Sequence, residues 1–285
     1  MNHVFLFPNF TKEGTRAVTE NVISRLARLD FDVLCDEEAA ENLPSEAVAH
    51  CRVLPYSRCL EECGMVLVIG GDGSILRIAS DAAQHNRPIL GVNTGKVGFL
   101  SELDPHELRY LEALSRGKYT IDERMMLDVA IWRQGAVAYR ATLLNDAVIT
   151  KWPLVRLINI DVSVNGTLTT SLRGDGIIIA TPTGSTAYTL SAGGPIIEPN
   201  ANCIAVTPIC AHELGAKPFV LSADREITIT AGAEENKAFL SPDGGVPVEM
   251  CPSDTISITR SELVTRLVRL KNSGFYDIIY KKLSI

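Results

Sequence analysis

The sequence predicts an α/β N-terminal domain with a Rossmann-like parallel sheet, followed by a β-rich, sandwich-like C-terminal domain. Three observations predict it. Short apolar runs alternate with helical periodicity through residues 1–119. From about Thr120 the pattern changes to Val-, Ile- and Thr-rich segments separated by glycine, with little helix between them. The chain has 285 residues, 46% hydrophobic and 21% charged, which is enough apolar surface for two cores. The expected division is 1–119, 120–262, and a tail, 263–285, that packs back on the first domain.

Each element of the first domain has its own signal. Residues 4–8 are a short apolar run, and Thr11 reads as the cap of a helix with Val18, Val22, Ile23, Leu26 and Leu29 on one face. Residues 31–35 read as the second strand, and a polar helical stretch follows. The continuous apolar run 65–69, counted as the third strand, ends in Gly70-Gly71-Asp72-Gly73. Helical spacing resumes over 75–83, 88–92 is another strand, and Asp104-Pro105 opens a helix reaching about Arg116. Strands alternating with helices in this way predict a parallel sheet covered on both faces.

In the second domain, segments 127–133, 136–150, 155–164, 167–172 and 176–181 read as strands. Asn165-Gly166 is a hairpin signal, because both residues accept the positive φ that suits the twist of an antiparallel pair. A helical stretch near 185–192 is followed by strands at 203–208, 218–222, 225–231, 236–241, 246–250 and 254–260. The tail ends in a helix over 276–283.

Composition narrows the function. A net charge of −7 argues against bulk electrostatic binding to nucleic acid or an anionic membrane, so any phosphate site must be local. The opening residues lack a basic leader and a cleavage site, and nowhere do about 18 apolar residues run together, so a cytoplasmic protein is expected. The cysteines number seven and are scattered, which disfavours a disulfide scaffold. His50, Cys51, Cys59 and Cys63 are close together, but without the paired spacing of a structural zinc site they read as buried thiols, and no metal site is expected in the protein itself.

The chemistry concentrates in residues 67–77, LVIGGDGSILR, a strand that delivers glycines and an acid to a helix start. Such a turn lies at the carboxyl edge of the sheet, where α/β proteins bind ligands. Gly70, Gly71 and Gly73 allow close approach of a phosphate chain, Ser74 can cap the helix, and Arg77 can reach the same oxygens one turn later. Taken alone, the segment serves equally as a tight strand-to-helix turn. Asp72 favours chemistry, since an acid among phosphate-binding amides needs a metal ion or a substrate hydroxyl to offset the repulsion.

This run resembles the Gly-Gly-Asp-Gly motif of the superfamily containing NAD kinases, diacylglycerol and sphingosine kinases and 6-phosphofructokinases. Three later blocks resemble the NAD kinases in order and spacing: Leu144-Asn145-Asp146, Arg173-Gly174-Asp175-Gly176, and residues 181–195, TPTGSTAYTLSAGGP. Residues 91–100 and 207–212 are similar to lesser blocks of that family, in its bacterial type. The resemblance covers nearly the whole chain and is weak only in the first sixty and last twenty-five residues.

The resemblance implies a site. Thr183, Thr186, Ala187, Tyr188, Thr189, Leu190 and Ser191 would form a nucleoside pocket in which Tyr188 stacks on adenine, whereas the block by itself reads as a capped helix with Tyr188 in the core. It gives Asn145 to adenine and Asp146 to a ribose diol, Asp146 being one methylene shorter than the Glu of many members; the dipeptide alone reads as a turn. It gives Asp175 to the nicotinamide end and makes Arg173 and Arg156 candidates for phosphates, Arg156 reading otherwise as a solvated strand charge. Gly245 stands where many members carry a polar side chain after the late Asp-Gly, which removes a contact there.

The implied activity is transfer of the γ-phosphoryl group of ATP, carried with a divalent cation such as Mg2+, to the adenosine 2′-hydroxyl of NAD. NAD would lie across the two domains, with Asp72 and Gly73 at the reacting end and Asp72 taking the hydroxyl proton. Polyphosphate is an alternative donor, and a homodimer or homotetramer is implied by analogy. A lipid kinase would need an exposed apolar or basic membrane patch, and a phosphofructokinase its own sugar-phosphate motifs, neither of which is evident. A non-catalytic nucleotide sensor would be expected to lose Asp72. Ser74 and Ser185 do not lie in the Gly-x-Ser-x-Gly of a serine hydrolase.

Overall fold

The structure, a computed structural model, describes residues 3–95, 98–152, 156–213, 215–232, 237–271 and 274–283. The chain forms two compact units, 1–123 with 265–285, and 124–264.

The first unit runs β1 (His3–Pro8), α1 (Thr15–Arg28), β2 (Asp32–Cys35), α2 (Glu37–Asn42), α3 (Ser45–Val48), β3 (Cys51–Val53), α4 (Tyr56–Glu62), β4 (Met65–Gly70), α5 (Asp72–Gln84) and β5 (Ile89–Asn93). These strands pair in parallel in the order β3-β2-β1-β4-β5, a Rossmann half. All six residues of β4 are buried, which is why its sequence is a continuous apolar run rather than an alternating one. Leu6, Leu67, Ile69, Leu90 and Val92 of the sheet pack with Val22, Ile23 and Leu26 of α1.

Several local expectations are corrected. The three-residue β3 and the helix α4 were not anticipated, because so short a strand carries no periodicity; β4 is therefore the fourth strand in the chain. Thr11 does not cap α1, which starts four residues later behind Gly14 at φ 79°. Its amide and hydroxyl both donate to Asn9 Oδ1 instead, at 3.2 and 2.6 Å. The segment opened by Asp104-Pro105 is a 3-10 helix over Pro105–Leu111, closed by α6 (Glu112–Ser115). Its capping box is formed, with the Asp104 amide donating to Glu107 at 3.0 Å.

The second unit contains most of β6 (Thr120–Arg133), whose first four residues belong to the first unit, then β7 (Ala136–Leu143), β8 (Asp146–Trp152), β9 (Ile158–Val164), β10 (Thr167–Gly174) and β11 (Gly176–Ala180). A 3-10 turn (Gly184–Thr186) and α7 (Tyr188–Ser191) follow, then β12 (Cys203–Ile209), β13 (Phe219–Ser222), β14 (Ile227–Ala231), β15 (Lys237–Pro242), β16 (Val248–Met250) and β17 (Thr255–Arg269). One antiparallel sheet has the order β13-β12-β11-β8-β15-β16. Against it lie β10-β9-β14 and the start of β17, with β6 and β7 alongside. Ile149, Ile177 and Ile179 from the first sheet meet Ile160, Ile227, Ile229 and Ile256 from the second in one core, which makes this unit a sandwich.

Asn165 and Gly166 take φ of 50° and 77°, as their hairpin requires. The expected strand 136–150 is broken at Leu144 and Asn145 into β7 and β8. The expected helix near 185–192 is one 3-10 turn and four α-helical residues. Positions 155 and 236 of two expected strands, and positions 96 and 97 of the 91–100 block, lie outside the described residues. The final strand is longer than predicted. Its end belongs to the first unit, where Leu267 pairs in parallel with Ile89, and α8 (Phe275–Leu283) follows.

Candidate active site

The loops after β1 and β4 leave adjacent strands whose helices start in opposite directions along the sheet, the topological switch point at which such folds bind ligands. The two loops hold each other. The Asn9 amide donates to Ile69 O at 2.8 Å, and Asn9 Nδ2 donates to Ser74 Oγ at 3.0 Å. Glycine is required at 70, where a Cβ would stand 2.3 Å from Ser74 Oγ and 2.8 Å from its Cβ, whereas a Cβ on Gly71 would meet only the movable end of Lys12, 2.6 Å from Nζ. Ser74 is therefore a strut for the β1 loop rather than the helix cap. Asp72 opens the thirteen-residue α5, with Gly71 as its cap residue.

The Asp72 carboxylate is tightly held. It accepts the amides of Phe99 at 2.6 Å, Leu100 at 3.2 Å and Ser101 at 3.4 Å, and the Ser101 hydroxyl at 3.3 Å. Gly98 makes this possible, since a Cβ there would lie 1.9 Å from Asp72 Oδ1. Gly73 is exposed beside it. Arg77 stacks instead over the Phe7 ring, 5.6 Å from its centroid, in a groove shared with Asp36, Tyr56 and Asp81.

In the second unit, Asn145 and Asp146 lie at the start of β8 and are 8% and 4% exposed. The amides of Leu144, Asn145 and Asp146 all donate to the Asp243 carboxylate. Thr181 grips the same segment from the other side, its amide on Asn145 O at 2.8 Å and its hydroxyl on Leu144 O at 2.6 Å. Asn145 Oδ1 is buried with no partner among the described residues. Burial, and after it the charge of Asp243, push the Asp146 carboxyl up to about 7.

The 181–191 block is a tight turn pressed against Asn145, whose carbonyl would stand 2.2 Å from a Cβ on Gly184. The Ser185 hydroxyl is internal, donating to Pro182 O at 2.6 Å and accepting the Ile197 amide at 3.0 Å. Thr183 accepts from buried Arg124 at 3.3 Å, and Thr186 donates to Thr183 O at 3.2 Å. Tyr188 is 44% exposed, which rules out its reading as a core residue. Ala187 and Leu190 are half-buried and Ser191 is exposed, while Thr189 is wholly buried with Oγ1 unpartnered among the described residues.

Asp175 sits between two glycines that the backbone needs, because a Cβ on Gly174 or Gly176 would stand 2.9 or 2.3 Å from a neighbouring carbonyl. Its carboxylate pairs with Lys151 at 2.5 Å. Arg173 is exposed on β10, its amide bonded to Glu213 at 2.9 Å, and Arg156 is exposed in the β8–β9 connection. Lys12 and Arg124 escaped the sequence reading, and Gly98 and Thr181, though inside the 91–100 and 181–195 blocks, were given no role there. Only the strand order puts Lys12 beside the glycine turn, and a sequence does not print strand order.

A Rossmann half that binds a dinucleotide for hydride transfer has no use for a carboxylate among its phosphate-binding amides, whereas phosphoryl transfer does. With an exposed aromatic ring shortly after the Gly184 turn that packs on Asn145, and with the buried acid Asp146 next in the chain, the class so defined is a nucleotide-dependent phosphotransferase. Comparison with known proteins agrees. Residues 4–119 match the ATP-NAD kinase N-terminal domain and residues 144–270 the ATP-NAD kinase C-terminal domain. The NAD kinase of Symbiobacterium thermophilum is 40% identical over 93% of both chains, and that of Desulforamulus reducens 38% identical over 99% of this chain and 97% of its own. Yeast NADH kinase, solved with NADH, superposes with a TM-score of 0.90 at 25% identity, covering 100% of this chain and 88% of its own. An Archaeoglobus fulgidus NAD kinase solved with ATP gives 0.73 at 25% identity, over 99% and 98%. The chain belongs to the NAD kinase family.

Proposed function

We propose that this phosphotransferase moves the γ-phosphoryl group of ATP to the 2′-hydroxyl of the adenosine ribose of NAD, giving NADP. The observation that carries the assignment of the reacting centre is Asp72, an acid held by three amides and a hydroxyl in a glycine turn at the switch point. A carboxylate held this firmly keeps one orientation toward an incoming hydroxyl and takes its proton late, as a loose transition state requires. Gly70, Gly71, Gly73 and Ser74 supply the amides for the donor phosphates, and Lys12, beside Gly71, adds a point charge. Asn145 receives adenine, Asp146 the ribose diol, and Tyr188 stacks on the base, with Thr183, Thr186, Ala187, Thr189, Leu190 and Ser191 shaping the pocket. Asp175 serves the nicotinamide end, with Arg173 and Arg156 for phosphate oxygens and Arg77 a further donor.

Asp72 is the one acid of residues 70–74, and the described residues assemble no group of three acidic, histidine or cysteine ligands. A divalent cation brought by ATP would be held mainly by the phosphates, and Asp72 is the residue of this turn that could add a carboxylate oxygen. Such a cation, most simply Mg2+, would neutralise charge on the transferred group. Polyphosphate fits the same amides as a second donor. No helix among the described residues is long and apolar enough to cross a membrane. The seven free cysteines suit the reducing cytoplasm, where we place the protein. We expect a homodimer or homotetramer, which light scattering decides. Purified protein incubated with ATP, magnesium and NAD should yield NADP, detected with an NADP-specific dehydrogenase. ADP release without NADP would overturn the assignment.

A further inference from the structure

Three consecutive backbone amides, those of Leu144, Asn145 and Asp146, point at one carboxylate. Leu144 donates to Asp243 Oδ2 at 2.7 Å, and Asn145 and Asp146 share Oδ1 at 2.7 and 2.9 Å. The Asp243 amide returns a bond to Asp146 O at 2.9 Å. With Thr181 holding the carbonyls of Leu144 and Asn145, both the donors and the acceptors of this segment are engaged. What it still presents is side chains, and the side-chain oxygen Oδ1 of Asn145 is unpartnered among the described residues.

Asp243 is not explained by its own turn. Asp243 and Gly244 take φ of 46° and 68°, the positive pair of a tight hairpin turn, closed by the Gly245 amide on Pro242 O at 2.6 Å. Asn-Gly suits that turn as well as Asp-Gly does. An acid here brings a second, partly buried carboxyl next to Asp146, which costs stability. What an acid offers and an amide does not is two oxygens with enough lone pairs to take three N–H groups.

We propose that Asp243 is a positioning residue for nucleoside binding: it holds the 144–146 backbone so that the Asn145 amide and the Asp146 carboxyl meet the adenosine half of the dinucleotide. This rests on the reading in which Asn145 and Asp146 bind that half. The strands flanking Asp146 set Ala180 and Ala147's partner Pro242 beside it, neither of them ionisable, and Asp243 is the neighbouring charge that bears on its titration.

The test is Asp243→Asn, which keeps the turn, the size and one acceptor. NAD binding is measured by calorimetry from pH 5.5 to 8.5, and KM is measured for NAD and for ATP. The expected result is at least a tenfold weaker affinity for NAD, a KM for NAD that moves more than kcat, and little change in the KM for ATP. The midpoint of the pH dependence of NAD binding should also move to lower pH, because Asp146 loses an acidic neighbour. A residue that only braced the hairpin would lower the unfolding temperature and leave the affinity for NAD, compared well above that midpoint, unchanged. Asp243→Ser, with one acceptor for three amides, gives the same reading if the first variant does not fold. Unchanged NAD affinity in Asp243→Asn, while Asn145→Ala weakens it, overturns the proposal and leaves the nucleoside site standing. If Asn145→Ala and Asp146→Ala both bind NAD normally, the site reading falls, and the proposal with it.

Discussion

At the scale of single residues, two acids are treated in opposite ways. Asp72 is given four hydrogen bonds at a helix start, whereas Asp146 is buried beside another acid. Asp72→Asn should therefore retain NAD but lose at least about a hundredfold in kcat, the scale of a catalytic base. Near-normal turnover removes Asp72 from that role. Tyr188→Ala should raise the KM for NAD by the equivalent of ~1–3 kcal/mol of stacking; an unchanged KM dismisses the stacking. Asp146 makes a prediction about pH. Its carboxyl lies at about 7 against an ordinary 3.8, so the folded chain keeps a proton that the unfolded chain loses on passing through the lower value. Its contribution to stability is thus greatest at the acid end of that window, declines as pH rises toward 7 and levels above it. Under the proposed role binding runs the other way, because an ionised carboxylate is the better acceptor for a ribose hydroxyl. The KM for NAD should fall as pH rises through about 7. Asp146→Asn should melt higher than the parent at pH 8 and require more NAD; a variant that melts lower contradicts the buried-acid account.

At the scale of elements, the site depends on close approach. The connection after β5 brings the amides of Phe99, Leu100 and Ser101 onto Asp72 because Gly98 has no Cβ. Gly98→Ala must displace either the loop or the carboxylate, and a misplacement of about 1 Å costs on the order of a hundredfold. The expected kinetics are those of Asp72→Asn in a folded protein, and wild-type kcat would show that the loop is not needed. Much of the element content was legible. The 65–69 run, the glycine turn and the Asn165-Gly166 hairpin each carry a local signal: burial on both faces, close approach at Gly70, and positive φ. What was not legible were elements whose cause is elsewhere in the chain. The three residues of β3 are a strand only because β2 pairs with them, and Leu144-Asn145 interrupts an apparent single strand because Asp243, about a hundred positions away, takes its amides.

At the scale of the whole molecule, β17, like β6, belongs to both units. It begins against β14 in the sandwich and ends against β5 in the parallel sheet, where Leu267 and Val268 are buried. Leu267→Ala should destabilise the first unit by about 2–5 kcal/mol, the usual cost of emptying a buried leucine site, seen as a lower urea midpoint. An unchanged midpoint would mean that the end of β17 is not part of that core. The sequence by itself determined the α/β and β-rich halves, the glycine turn with its acid, and the later blocks that resemble the NAD kinases, because periodicity, backbone permissiveness and motif order are local properties of the chain. Only the tertiary structure decided that Lys12 lies by Gly71, that Gly98 makes room for Asp72, that Ser74 and Thr11 are struts and not caps, and that Asp243 holds Asn145 and Asp146. These depend on which strands become neighbours, and strand order is set by the packing of residues far apart in the chain.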